Sequence, residues 1–233
     1  MVAAAALIGA FVSGLSGFAF GLIAVGVWLQ VLPPMITGPL VLICGGLTSS
    51  MSLIEIWPAV RLNRVLPMIL GGFLGIPAGI WLLTRLEPAL LRRGVGAFLV
   101  LYALFMLLAP RFVVRRAGHA ADGAVGFIGG VMSGAVGLSG AVPTAWTMVR
   151  GWHKDEARAV YQPFNLPILL VTLAGEGATG VLEWRHFYYA LLCVPMLLIG
   201  VRLGIMAYRR LDAAWFRRIV LYLLLASGAM LVI

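Results

Sequence analysis

Residues 75–93 read GIPAGIWLLTRLEPALLRR, and residues 200–218 read GVRLGIMAYRRLDAAWFRR. Both obey one pattern, G-x-x-x-G-I-x-x-x-x-R-L-[DE]-x-A-x-x-R-R, at an offset of 125 residues. A second echo lies upstream, where Gly14-Leu15-Ser16-Gly17 returns as Gly137-Leu138-Ser139-Gly140 at an offset of 123. Self-similarity at a fixed, long period marks a duplicated fold. The chain reads as two copies of a unit of about half its length.

Composition fixes the environment of that unit. Of the 233 residues 62% are hydrophobic and 11% charged, with a mean hydropathy of +1.05. Soluble domains carry about 25% charged residues, and a water-soluble chain of this size leaves too much surface exposed to hide so much apolar side chain. Soluble enzymes, DNA-binding domains and disordered tails are excluded. The net charge of +9 is no nucleic-acid footprint, because the Lys and Arg fall in small groups between apolar runs. Cys44 and Cys193 both sit in apolar runs, as packing residues do. Met1 to Ala10 lacks the basic start of a secretory signal and reads as the beginning of the first span.

The expected fold class is an all-α polytopic membrane protein. A span takes about 20 residues, and eight apolar segments follow: 2–32, 36–56, 65–83, 90–109, 123–149, 160–182, 187–208 and 213–233. Four segments fall in each repeat, 1–109 and 123–233, with residues 110–122 as a connecting loop. The first and fifth segments are overlong and glycine-rich. Each fits one bent helix or two shorter pieces, broken or re-entrant, meeting inside the membrane.

If all eight segments cross once, one side holds ten basic residues: Arg85, Arg92, Arg93, Arg150, Lys154, Arg158, Arg209, Arg210, Arg217 and Arg218. The other holds six: Arg61, Arg64, Arg111, Arg115, Arg116 and Arg185. The richer side is expected to be cytoplasmic, with both termini outside. The matching Arg-rich stretches at 85–93 and 209–218 favour two parallel repeats. Duplicated membrane bundles with interrupted helices are typical of secondary carriers, which bind substrate near the midplane.

The glycine-serine segments, S-G-L-S-G at 13–17 and S-G-A-V-G-L-S-G at 133–140, each open a half of four hydrophobic segments. In this the whole chain resembles the sulfite exporter TauE/SafE family, also called the toluene sulfonate uptake permeases. It departs from the family where Phe18-Ala19-Phe20-Gly21 and Ala141-Val142-Pro143 follow the motifs in place of further glycine. The resemblance implies transport of sulfite, sulfonates or related organosulfur anions across the bacterial inner membrane, most commonly as export.

Such an anion needs donors in a low-dielectric site. Backbone N–H groups at the start of a broken helix supply them, and hydroxyls add more. The expected substrate-binding residues are Ser13, Gly14, Ser16, Gly17, Ser133, Gly137, Ser139 and Gly140. Small-xxx-small helix packing explains the same spacing, as in Ser13–Gly17–Gly21, and stands beside the binding reading. In the sixth segment Pro163 and Pro167 break the helical ladder. Gln162 and Asn165, three apart, share a face there and complete the expected pocket; tying helices together is the competing role.

Charges inside spans are functional candidates by default. Glu55 and Glu176 are the expected carriers of a coupling proton, although both lie near span ends. Arg202, deep in the seventh segment, is a candidate to bind the anion or to snorkel. Lys154-Asp155-Glu156-Ala157-Arg158 reads as a solvated loop, and the three histidines show no metal-ligand spacing. No cofactor, metal or catalytic residue is expected. The partners expected are a small sulfur-containing anion, the bilayer and a second copy in a homodimer, with no nucleic acid. An anion channel uses the same donors. An intramembrane serine protease built on Gly-x-Ser-Gly is a poor fit, since the motif occurs twice and its nearest histidine, His186, sits at a span end.

Overall fold

The computed structural model describes residues 2–60, 62–108, 114, 117–152, 154–208, 221–222, 225–226 and 228–232, and of residues 55, 56, 59, 154, 155 and 208 the backbone alone. All regular structure among them is helical. The first expected segment is two helices, α1 (Val2–Ser16) and α2 (Phe20–Val31). Helix α3 (Pro34–Ile56), a short 3-10 turn at Trp57–Ala59, α4 (Leu62–Arg85) and α5 (Pro88–Leu108) complete the first half. The fifth expected segment is likewise double, α6 (His119–Val136) and α7 (Ala141–Val149). Helices α8 (Lys154–Ala178) and α9 (Trp184–Tyr208) follow. Most of the eighth segment lies outside the described residues, and those described within it are helical. Helices α3, α4, α5 and α9 are long and apolar enough to cross a membrane.

The paired helices are hairpins. Helix α1 ends at Gly17, whose φ of +86° is a left-handed conformation that only glycine adopts cheaply. The chain reverses within three residues, and Trp28 near the far end of α2 donates its indole N–H to the Val2 carbonyl at the start of α1. The second hairpin repeats this design. Gly137 has φ +78°, and its N–H bonds back to the Ser133 carbonyl, the 5→1 bond of an αL cap, while that of Leu138 reaches the Met132 carbonyl. Trp146 on α7 donates to Asp122 on α6, and Arg150 to the Ala117 carbonyl, closing the hairpin's open end.

The turn glycines Gly17 and Gly137 are 120 residues apart, not 123. The two Gly-Leu-Ser-Gly tetrapeptides therefore match in sequence but not in place: the first ends a helix, while the second forms the turn. The packing agrees with the 120 spacing. Carbonyls of Leu7 and Phe11 on α1 abut Gly200 and Gly204 on α9, as those of Phe127 and Val131 on α6 abut Gly75 and Gly79 on α4. Each hairpin thus packs against a helix of the other half of the chain. Both contacts run parallel, since partners advance together along the two helices. The α4–α6 seam is close enough that a Cβ on Gly126 or Gly130 would collide with the carbonyl of Met68 or Gly72.

One loop expectation is corrected. Residues 154–158 form the first turn of α8, and Arg158 is 7% exposed, buried against the first hairpin. Within that turn Glu156 is half-exposed and paired with Arg64, while Arg158 turns inward.

Candidate functional site

Two helix N-termini meet in the interior. The first N–H groups of any α-helix lack intrahelical acceptors and carry the positive end of its dipole. Helices α2 and α7 both begin at a hairpin turn, with their starts adjacent: a Cβ on Gly21 would lie 3.2 Å from the Gly137 carbonyl. A small pocket sits at this junction, lined by Phe18, Phe20 and Gly21 from the first hairpin, Ser139 and Gly140 from the second, and Asn165 from α8.

Helix α8 supplies the polar wall. Arg158, Gln162, Asn165, Leu169, Thr172 and Glu176 follow one another at intervals of four and three, the spacing of one helical face. All six are buried. Gln162 donates to the Gly17 carbonyl at 3.3 Å, and the neighbouring Tyr161 hydroxyl donates to the Ser16 carbonyl at 2.7 Å. Ser139 donates to Asn165 Oδ1 at 3.1 Å, and the Ser133 and Thr172 hydroxyls share a hydrogen bond of 2.9 Å. One helix therefore touches both turns.

The expected residues separate into groups. Ser139, Gly140, Asn165 and Gly137 line the pocket. Gln162 and Gly17 lie beside it, where the side chain of Gln162 and the guanidinium of Arg158 leave no room for a Cβ on Gly17. Ser16 is a turn residue: its hydroxyl donates to Val12 and accepts the N–H of Ala19. Ser13 is buried in the last turn of α1, and its carbonyl accepts the Gly17 N–H at 2.6 Å. Gly14 packs on the backbone of Val201 and Ile205 in α9. Ser133 sits one turn above the pocket, bonded to Thr172.

Of the charged candidates, Glu176 is fully buried, and neither carboxylate oxygen has a hydrogen-bond partner among the described residues. A Cβ on Gly38 would lie 3.7 Å from its Oε1. Arg202 is exposed on α9, away from the pocket. The side chain of Glu55 lies outside the described residues. Arg158 is the site residue that its sequence context does not single out. A sign of it was present: extending the Gln162–Asn165 face by one turn in each direction reaches Arg158 and Thr172.

Chemically, the junction offers backbone N–H groups, hydroxyl and amide donors and one buried guanidinium, beside two phenylalanines. Among the described residues no group of His, Cys, Asp and Glu could hold a metal ion. The arrangement suits a small anion. The family model described as Sulfite exporter TauE/SafE matches residues 1–231 of the chain. No curated protein and no solved structure matches it.

Proposed function

The chain belongs to the sulfite exporter TauE/SafE family, a family of membrane transporters of sulfur anions, and from that premise we propose that it is a secondary carrier exporting sulfite or a small sulfonate across the bacterial inner membrane. The observation that carries this reading is the meeting of two helix N-termini at one small pocket, with the buried Arg158 beside it against the Gly17 turn. Preorganised donors of this kind replace the hydration shell of an anion without an ammonium or metal in the pocket itself.

The hairpins support an arrangement for transport. A re-entrant hairpin returns to its own side, so each half crosses the membrane three times and the halves are inverted relative to one another. In this reading the halves are inverted, in contrast to the parallel arrangement that the matching arginine stretches favour. The parallel packing of α1 on α9 and of α4 on α6 fits it, because each hairpin then enters alongside a helix travelling in the same direction. The charge bias sharpens as well. By chain order one side holds Arg61, Arg64, Arg111, Arg115, Arg116, Arg150, Lys154, Arg158, Arg209, Arg210, Arg217 and Arg218; the other holds Arg85, Arg92, Arg93 and Arg185. Twelve against four supports the first group in the cytoplasm and both termini outside. Arg158 then lies on the cytoplasmic half of the path and Glu176 on the outer half.

An intramembrane carboxyl without a countercharge is characteristic of proton relays. In this reading Glu176 carries the coupling proton, on the same face of α8 as Asn165 and about three helical turns along from it. The test is flux in proteoliposomes of sulfite, a short sulfonate and acetate, with and without a pH gradient, against protein-free vesicles. Saturable, gradient-dependent flux of a sulfur anion over acetate is the expected result. Folded protein that moves none of the sulfur anions overturns the assignment of substrate.

A further inference from the structure

A second cavity, of about 500 Å³, opens between α4 and α8 on the outside of the bundle. Its deep part is apolar, with Phe73, Ile76 and Ile80 on one wall and Val171 and Gly175 on the other. Its other end is polar, lined by Thr84, Arg85 and Thr179. Arg85 is the last residue of a helix long and apolar enough to span the bilayer, so that end lies at the membrane surface. The wall from Arg85 to Phe73 rises over twelve residue steps, about 18 Å at the helical rise, against about 15 Å for one hydrocarbon leaflet. At the back of the groove Gly175 lets α8 come close to α4: a Cβ there would lie 2.7 Å from Ile80 Cδ1.

We propose that this groove is a binding site for one anionic phospholipid, its acyl chain along Phe73 to Ile80 and its headgroup phosphate against Arg85. An acyl chain matches the apolar part in character and depth, and charge complementarity selects the headgroup. A cation at the headgroup level favours an anionic over a zwitterionic lipid by about 1 kcal/mol, roughly fivefold in affinity. Trp81, 59% exposed beside the mouth, adds the amphipathic ring usual at the headgroup level. The back of the groove is the helical turn that carries Glu176, so a bound chain also covers the approach to that carboxyl from the bilayer.

The site is tested without any transport assay, by native mass spectrometry of the detergent-purified full chain titrated with phosphatidylglycerol or phosphatidylcholine of identical acyl chains. One phosphatidylglycerol should be retained about fivefold better than phosphatidylcholine. Arg85→Gln should lower its retention to the phosphatidylcholine level, and Ala178→Phe, which fills the groove from an exposed position, should reduce retention of both lipids. Equal retention of the two lipids by the parent protein, or a phosphatidylglycerol preference unchanged by both substitutions, would overturn the assignment.

Discussion

Ser139, in the turn of the second hairpin, donates its hydroxyl hydrogen to Asn165 Oδ1 on α8 at 3.1 Å, and both residues line the central pocket. The bond fixes the turn against the helix and leaves the Asn165 amide N–H groups for a ligand. Removing one partner from a buried pair costs about 1–3 kcal/mol. Ser139→Ala is therefore expected to lower thermal stability in detergent modestly, while Asn165→Leu abolishes anion flux in protein that still elutes as a single species. Unchanged flux in Asn165→Leu would remove α8 from the binding site.

Gly137 and Gly180 both have positive φ, at 78° and 75°, but only the first is crowded. A Cβ on Gly137 would lie 2.7 Å from the Val41 side chain, whereas nothing surrounds Gly180 within 4 Å. Gly180→Ala is expected to cost only backbone strain, about 1–2 kcal/mol. Gly137→Ala should cost clearly more, read as a larger drop in melting temperature. Equal drops would mean that the turn yields to accommodate the methyl group.

The α4–α6 seam makes the sharpest stability prediction. Gly126 has the Met68 carbonyl where a side chain would go, while Gly94 on α5 has open space. Gly126→Leu should fail to accumulate as folded protein. Gly94→Leu should accumulate normally. Fluorescence-detected size exclusion of tagged variants reports both.

Topology separates the hairpin fold from eight simple crossings. With eight crossings, Glu87 and Gly151 lie on the same side of the membrane; with two re-entrant hairpins they lie on opposite sides. Cys44 and Cys193 are buried, so the background of a membrane-impermeant maleimide should be low. Single cysteines at the two positions are expected to label from opposite faces of oriented vesicles. Labelling from one face would restore the eight-crossing account.

Glu176→Gln keeps the shape of the buried side chain and removes its proton. Anion exchange between equal pH compartments should persist, while acceleration of net flux by a pH gradient should vanish. Retained acceleration would assign the coupling to another group.

Much of this architecture was legible in the sequence, and the limits have physical causes. Apolar runs of span length locate α3, α4, α5 and α9, because lipid demands them whatever the fold. Gln162 and Asn165 stand out as amides among prolines. The reversal at Gly17 and Gly137 does not, since a glycine-serine break permits a bend and a hairpin equally. What decides between them is the pairing of Trp28 with Val2 and of Trp146 with Asp122, contacts separated by more than twenty residues. The 123-residue offset of the tetrapeptides differs by three from the 120 that relates the two turns, because the same letters end a helix in one half and form the turn in the other. Arg158 does not stand out in the sequence because charge near Lys154 reads as loop, although the helix begins there and carries the guanidinium inward.

Transport by this fold depends on anion recognition at the junction of the hairpins. The most direct measurement is equilibrium binding of radiolabelled sulfite to purified protein, comparing the parent with Arg158→Gln and Asn165→Leu variants that match it in size-exclusion profile. Saturable binding to the parent, weakened at least tenfold in both variants and competed by a short sulfonate but not by acetate, is the predicted result. Binding that is saturable and equally strong in all three proteins would contradict it and move the site elsewhere.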